Sequence, residues 1–433
     1  MASNQGTTPG GTIATLADAL MLNYDLGFRG RVGWSKGAAA AMIKKVRWSG
    51  LQPVIPIRNA NSPAVSNTFG TAQARAATST GITKVVQFKP QWYKKFGVAQ
   101  IDSLLMAAAS DSKGAVYDEL CTQIDGIMNG TTHQFSTDIY RNGFGAIGVI
   151  SSATTLASTR LQLQDPEDSV LFVEGMTCVL SQTDHADLLR SAGATFEVAG
   201  IEDYEKGYIT TTQNISTAIA AAATGDTIFP EGNRQNSATP TPLAINGFDA
   251  WFPTTVPTTT DVCSGVDRSK SAQLRGTIID LTTAANAAKN VEDACLDAIT
   301  ASARYGGQPE NMVYFTNNTN YREMMRLGQA RYRPNVVKGP YGISFQGIKI
   351  MTDNGEITVQ PDRYCPVRRS YLIDMGTVKF YGCGSAEVPR FIDDDGVGKI
   401  LRMTDAAAVE CRVGYYGCIG CNNPIVNVVV VHR

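Results

Sequence analysis

Two periodicities run along the chain, and their order predicts its elements. In AVYDELCTQIDGIMNGTTHQFSTDIYR (115–141), Val116, Leu120, Ile124, Ile127, Met128, Phe135 and Ile139 recur mostly at three- and four-residue spacing. That spacing places them on one stripe of a long helix, with Asn142-Gly143 as a left-handed stop. Gly126 and Gly130 each cost about 1 kcal/mol relative to Ala, so packing of the stripe must hold the helix together. Helical patterns also cover 35–47 (SKGAAAAMIKKVR), 290–307, ended by Gly306-Gly307, and 320–332.

Strand patterns fill much of the remainder. LQPVIPIRN (51–59) and KVVQFKPQW (84–92) read as two strands separated by a long, polar, small-residue stretch. A structureless loop of that length is unusual inside a compact domain, so a projecting β-hairpin arm is expected. An isolated hairpin is marginal in water and needs something to lie on. Between 160 and 231, RLQLQ, VLFV, TCVL, ATFEV, GYITT and TIF are separated by turn signals such as Asp165-Pro166 and Glu231-Gly232. They suggest a small β-barrel or sandwich inserted in the chain. The Pro/Thr-rich segment 235–265 reads as a connecting loop anchored by Trp251 and Phe252. Beyond it, MVYFT (312–316), GISFQGIKIMT, RRSYLIDMGTVKFYG, AAVECRVGYY and PIVNVVVV are strands; Val409, Cys411 and Val413 alternate with Glu410 and Arg412. Helices and strands neither alternate strictly nor segregate, which predicts an α+β body with an all-β insertion.

Composition narrows the function. The 433 residues are enough for a large core without disulfide or metal staples. A net charge of −1 excludes a globally basic nucleic-acid binder, and 43% hydrophobic against 18% charged residues excludes disorder. No apolar run is long enough to span a membrane, and nine scattered cysteines read as free thiols of a reducing compartment. The three histidines, His133, His185 and His432, lie far apart in sequence, which disfavours a His-based triad or three-His metal site.

Charge is segregated along the chain. No carboxylate occurs between Asp25 and Asp102, a stretch holding twelve Lys and Arg, whereas residues 151–260 hold thirteen acids against four bases. A subunit that docks on copies of itself can use such segregation, because complementary potentials steer encounter and fix register. Motifs for chemistry are weak by comparison. Gly143–Gly148 matches G-x-G-x-x-G but follows a helix, where the dinucleotide fingerprint needs a strand. Gly33-Trp-Ser35-Lys-Gly37 matches the nucleophile elbow without a buried strand before it, and Ser35 reads as a helix N-cap. Cys418 and Cys421 form a lone C-x-x-C, and Asp393–Asp395 lacks calcium-loop spacing. Bases interleaved with Trp34, Trp48, Phe88, Trp92 and Tyr93 suit single-strand binding, but packing explains most of these aromatics. No catalytic, cofactor or metal site is expected.

The order of elements resembles the major capsid protein of tailed bacteriophages, a fold shared with herpesvirus shells and encapsulin compartments. The segments that carry the resemblance are the hairpin 49–97, the helix 115–141, NMVYFTNNTNYREMMRLGQARY (311–332) and the strands of 342–382. Residues 165–176 and 225–233 are similar to a β-insertion carried by some of these coat proteins. The resemblance implies an N-terminal arm (1–48), an E-loop (49–97), a P-domain with its spine helix (98–150), an inserted β domain (151–235), a connecting loop (236–265), and remaining P- and A-domain elements (266–433). It further implies a shell of pentamers and hexamers in a virion assembled in host cytoplasm. Packaged DNA would be touched non-specifically, with scaffolding, portal and decoration proteins as partners. Arg58, Arg75, Lys84 and Lys89 of the E-loop would meet acids of the neighbouring copy, with Asp111, Asp118, Glu119, Asp125 and the acidic insertion as candidates. An encapsulin-like compartment of the same fold, or a nucleotide-, serine- or zinc-dependent enzyme, are the alternatives.

Overall fold

A computed structural model describes residues 37–78, 81–102, 115–257, 259, 261–327, 333–338, 344–352, 355–392, 400–402 and 408–433. The longest helix, Ala115–Asp138, follows the apolar stripe. Its middle residues Ile124, Ile127 and Met128 lie on Ala99, Cys411 and Val413 of two paired strands, Tyr93–Asp102 and Ala408–Cys421. Gly97 permits this approach, since a Cβ there would stand 2.6 Å from Ile127 Cγ2. Phe135 and Ile139 enter the main core, Phe135 edge-on to Phe380 and Tyr415 at 5.4 and 5.2 Å. The side chains of Val116 and Leu120 lie outside the described residues.

The helix ends three residues earlier than its sequence pattern suggests. The carbonyls of Ile139 and Arg141 accept hydrogen bonds from the Phe248 and Gly247 amides, at 2.6 and 3.0 Å. A Cβ on Gly247 would meet two backbone oxygens at 2.3 Å, so only glycine fits this cap.

The strand Ala408–Cys421 organises a six-stranded sheet with Val378–Cys383, Tyr93–Asp102, Arg390–Phe391, Ile400–Arg402 and, parallel to Val378–Cys383, Lys44–Trp48. The expected helix over 35–47 is therefore corrected. Only Ala38–Met42 is helical, starting after Gly37, and Ser35 lies outside the described residues. Lys, Arg and Ala favour helix by only tenths of a kcal/mol, and pairing with an existing strand outweighs that preference. A seven-stranded mixed sheet runs Thr277–Asp280, Val428–Val431, Arg369–Asp374, Met312–Thr316, Gly355–Pro361, Ser344–Thr352 and Arg333–Lys338. The helix Val291–Arg304, opened by a reciprocal Asn290/Asp293 capping box, packs Ala294, Cys295 and Ala298 on its apolar face. The helix expected over 320–332 is observed as Asn318–Leu327, and residues 328–332 lie outside the description.

Residues 148–230 form a second six-stranded sheet, in the order Gly148–Val149, Thr227–Pro230, Thr177–Ser181, Thr195–Asp203, Tyr208–Thr211 and Arg160–Gln162. VLFV is not a strand: Pro166–Leu171 is a 3-10 turn, because Asp165-Pro166 followed by Glu167 and Asp168 is a helix-start signature. Leu161, Leu180, Phe196, Val198, Ile209 and Ile228 are buried in the same apolar cluster as Phe135 and Phe380. Trp251 and Phe252, on the expected connecting loop, also lie in that cluster, with the indole N–H donating to the Ile419 carbonyl at 3.1 Å.

Candidate assembly surface

Ile55–Ala60 and Lys84–Phe88 pair antiparallel as the expected hairpin. Alternation divides its faces: Ile55, Ile57 and Phe88 are buried, whereas Arg58 and Val85, paired across the strands, are exposed. Phe88 lies 5.1 Å from the Trp251 ring, the Lys89 amide donates to the Ser264 carbonyl at 2.8 Å, and Ser271 Oγ donates to Asn59 Oδ1 at 2.8 Å. The base thus rests on its own subunit, which corrects the expectation that the whole arm depends on another molecule.

The outer part differs. Its tip carries a two-turn helix, Phe69–Ala76, without a buried residue, where sequence suggested only a soft loop. Val65 and Phe69 are 80% and 82% exposed, and Ile82 and Val85 are more than half exposed. Arg58, Arg75, Lys84 and Lys89 are all exposed; Arg75 donates to the Val65 carbonyl at 3.2 Å. Such a basic surface with uncovered apolar side chains and no carboxylate is one that can dock a partner.

The acidic segment is partly neutralised within the chain. Arg141 meets Asp168 at 3.0 Å, Arg368 meets Asp165 at 2.8 Å, Arg369 pairs with Asp249, and Arg190 holds Asp226 through two hydrogen bonds at 3.0 and 2.7 Å. Burial pushes the Asp168 and Asp249 carboxyls up, against the pull of their arginines. Lys95, from the basic stretch, turns inward to Asp138 at 3.3 Å. Sequence segregation therefore overstates the charge available to a neighbour. Glu174, Glu197 and Glu231 remain exposed, as does Asp125 on the long helix; the side chains of Asp111, Asp118 and Glu119 lie outside the described residues.

The motifs take structural places. Gly143 and Gly145 have φ of +88° and +82° in a turn leading from the helix to Gly148–Val149. Cys418 and Cys421 are buried in a strand, their thiols pushed up to about 12 by burial. His133 lies between the Tyr364 hydroxyl at 3.2 Å and the Leu171 carbonyl at 3.3 Å, and His432 faces Ser370 Oγ at 2.7 Å. Burial lowers both imidazoles to about 4. His185 lies beside the Phe144 ring, and Asp393–Asp395 fall outside the described residues. Among the described residues, no group of three or more His, Cys, Asp or Glu is placed to hold a metal, and no helix is long and apolar enough to cross a membrane.

Residues 219–395 match the family model of the SU10 major capsid protein. The fold is that of the capsid asymmetric unit of cyanophage A-1(L), at a TM-score of 0.52 and 12% identity, covering 95% of this chain and 97% of that one. Looser likenesses include the capsid of an empty GTA particle, at 0.44, 9% identity and 98% coverage of both chains. The SrpI encapsulin of Synechococcus elongatus matches at 0.45, with 8% identity and coverage of 96% of this chain and 94% of that one. Among curated proteins, none matches the sequence.

Proposed function

We propose that this chain is a tailed-phage major capsid protein and that it closes the icosahedral head by laying the outer half of its hairpin on a neighbouring copy. The observation that carries this mechanism is the combination of exposed Val65, Phe69, Ile82 and Val85 with exposed Arg58, Lys84 and Lys89, on an arm whose base alone is covered by its own subunit. Covering one large apolar side chain stabilises association by about 1.5–3 kcal/mol, whereas an exposed ion pair contributes about 0–1 kcal/mol. Apolar area therefore supplies affinity, and the bases set register. In this reading residues 1–48 are the arm, 49–97 the E-loop and 98–150 the P-domain with its spine helix. The β insertion spans 151–235, joined through 236–265 to the remaining P- and A-domain elements of 266–433.

Pentamers and hexamers of the chain would enclose double-stranded DNA through non-specific contacts, with scaffolding, portal and decoration proteins joining the shell. Support for self-docking is the hairpin's lack of carboxylates beside exposed acids elsewhere in the same chain. The test is the double variant Arg58→Glu/Lys84→Glu, imaged by negative stain. A folded subunit that no longer forms shells is expected; normal shells would remove the hairpin from the docking role.

A further inference from the structure

The central sheet has one face under the long helix and another on which Lys94, Phe96 and Val98 are exposed. On that second face Lys94 is paired with Tyr416, Phe96 with Gly414 and Val98 with Arg412. Phe96 and Val98 are about half exposed. Phe96 stands edge-on to Tyr416 at 5.8 Å, with Lys94 Nζ 5.8 Å from the Phe96 ring centre and Arg390 Cζ 5.5 Å from that of Tyr416. An aromatic pair is thus flanked by two cations. Lys and Arg offer only donors, so a partner for this face must bring acceptors as well as cover apolar area.

The chain carries a surface of that chemistry. In the 148–230 sheet, Thr177 is paired with Glu197, and the Glu231 amide donates to the Thr177 carbonyl at 2.9 Å. Glu197 and Glu231 therefore flank Thr177, Glu231 lying just past the end of the strand Thr227–Pro230, and both are exposed. Asp165, Asp168, Glu202, Asp203 and Asp226 of this segment are ion-paired, whereas Glu197 and Glu231 have no ion pair among the described residues. Lys94, Phe96 and Val98 on one surface and Glu197 and Glu231 on the other are exposed within one subunit, so these side chains can meet another copy.

We infer that the open face around Lys94, Phe96 and Arg390 docks the Glu197/Glu231 row of a second copy. The occupant is a second copy because its acidic row supplies carboxylates for Lys94 and Arg390, the face's own Glu410 being paired with Arg412, whereas the carboxylate-free hairpin would bring base against base. This inference rests on the reading that copies of the chain assemble, and it adds a contact that does not involve the hairpin.

Charge exchange tests it on the full-length chain, with association followed by sedimentation velocity and particles by negative stain. Lys94→Glu/Arg390→Glu and Glu197→Lys/Glu231→Lys should each lower the assembled fraction about tenfold, with unchanged circular dichroism because Lys94, Glu197 and Glu231 are exposed and Arg390 is part-exposed. The quadruple variant should recover to within about threefold of the starting protein, since reversed charges again attract. Assembly of either double variant at the original level, or a quadruple variant no better than the weaker double, would overturn the inference. Rescue of Arg58→Glu/Lys84→Glu by Glu197→Lys/Glu231→Lys would also overturn it, by assigning the acidic row to the hairpin while leaving hairpin docking intact. Loss of hairpin docking itself is read separately, from Arg58→Glu/Lys84→Glu alone.

Discussion

The six short strands of 148–230 and the two strands of 55–88 both leave the helical and central-sheet body, but they differ in support. The larger sheet adds Leu161, Phe196, Val198 and Ile228 to the main core, and its segment is tied down by Arg141 and Arg368 from outside it. The hairpin contributes Ile55, Ile57 and Phe88 at its base and then runs out with its apolar tip uncovered. The lesson concerns where an element's stability comes from. One excursion is completed by its own subunit; the other leaves its tip exposed there, and in the proposed function a second molecule covers it.

That contrast can be broken from the base outward. The largest effect is expected for Phe88→Ala, which removes a fully buried ring from the Trp251 contact and should cost about 3–5 kcal/mol in thermal or denaturant unfolding. The matched change at the tip, Phe69→Ala, should shift unfolding by less than about 0.5 kcal/mol while weakening assembly, because its ring is solvated in the single subunit. Equal losses of stability from the two variants would erase the distinction between base and tip.

Arg141→Ala comes next. It leaves Asp168 buried without its cation and should destabilise by about 3 kcal/mol, read as a lowered denaturant midpoint. A loss below about 0.5 kcal/mol would show that the acidic segment is not anchored by this arginine.

A pH dependence is expected from two buried imidazoles of the body, outside both excursions. His133 and His432 titrate near 4 when folded but near 6.5 when unfolded, so the unfolded chain binds more protons in between. Their contribution is whole above about 6.5 and is lost as pH falls toward 4. Asp138, Asp168 and Asp362, which burial pushes up, act in the opposite sense: their contribution is present at low pH and lost as pH rises through their folded values. The readout is therefore the difference between wild type and His133→Gln/His432→Gln, whose stability should fall less between pH 6.5 and 4. Parallel curves would contradict the assignment of both imidazoles to the buried neutral state.

Much of this arrangement was legible from residue order alone. The helix positions Ile124, Ile127, Met128, Phe135 and Ile139, the hairpin strands, the Val291–Arg304 helix and the buried MVYFT strand emerged because their periodicities agree with their tertiary roles. Lys44–Trp48 did not, because its helix-favouring residues are recruited by a parallel strand more than three hundred positions away. VLFV misled for a local reason, the Asp-Pro start that makes it a 3-10 turn. Of the candidate docking residues, all four hairpin bases were legible as a carboxylate-free run and are exposed. The open face around Phe96 was not legible: Phe96 and Tyr416 lie 320 positions apart, and their alternation is shared with ordinary half-buried strands. Nor did sequence reveal which acids were already paired, since arginines from outside the segment neutralise Asp165, Asp168 and Asp249.

The most direct test of completion by a second molecule is amide hydrogen exchange of residues 61–78, measured on dissociated subunits and on assembled shells. Strong slowing confined to the assembled state is predicted, with the 177–203 strands equally protected in both. Equal exchange of the tip in the two states would contradict the account.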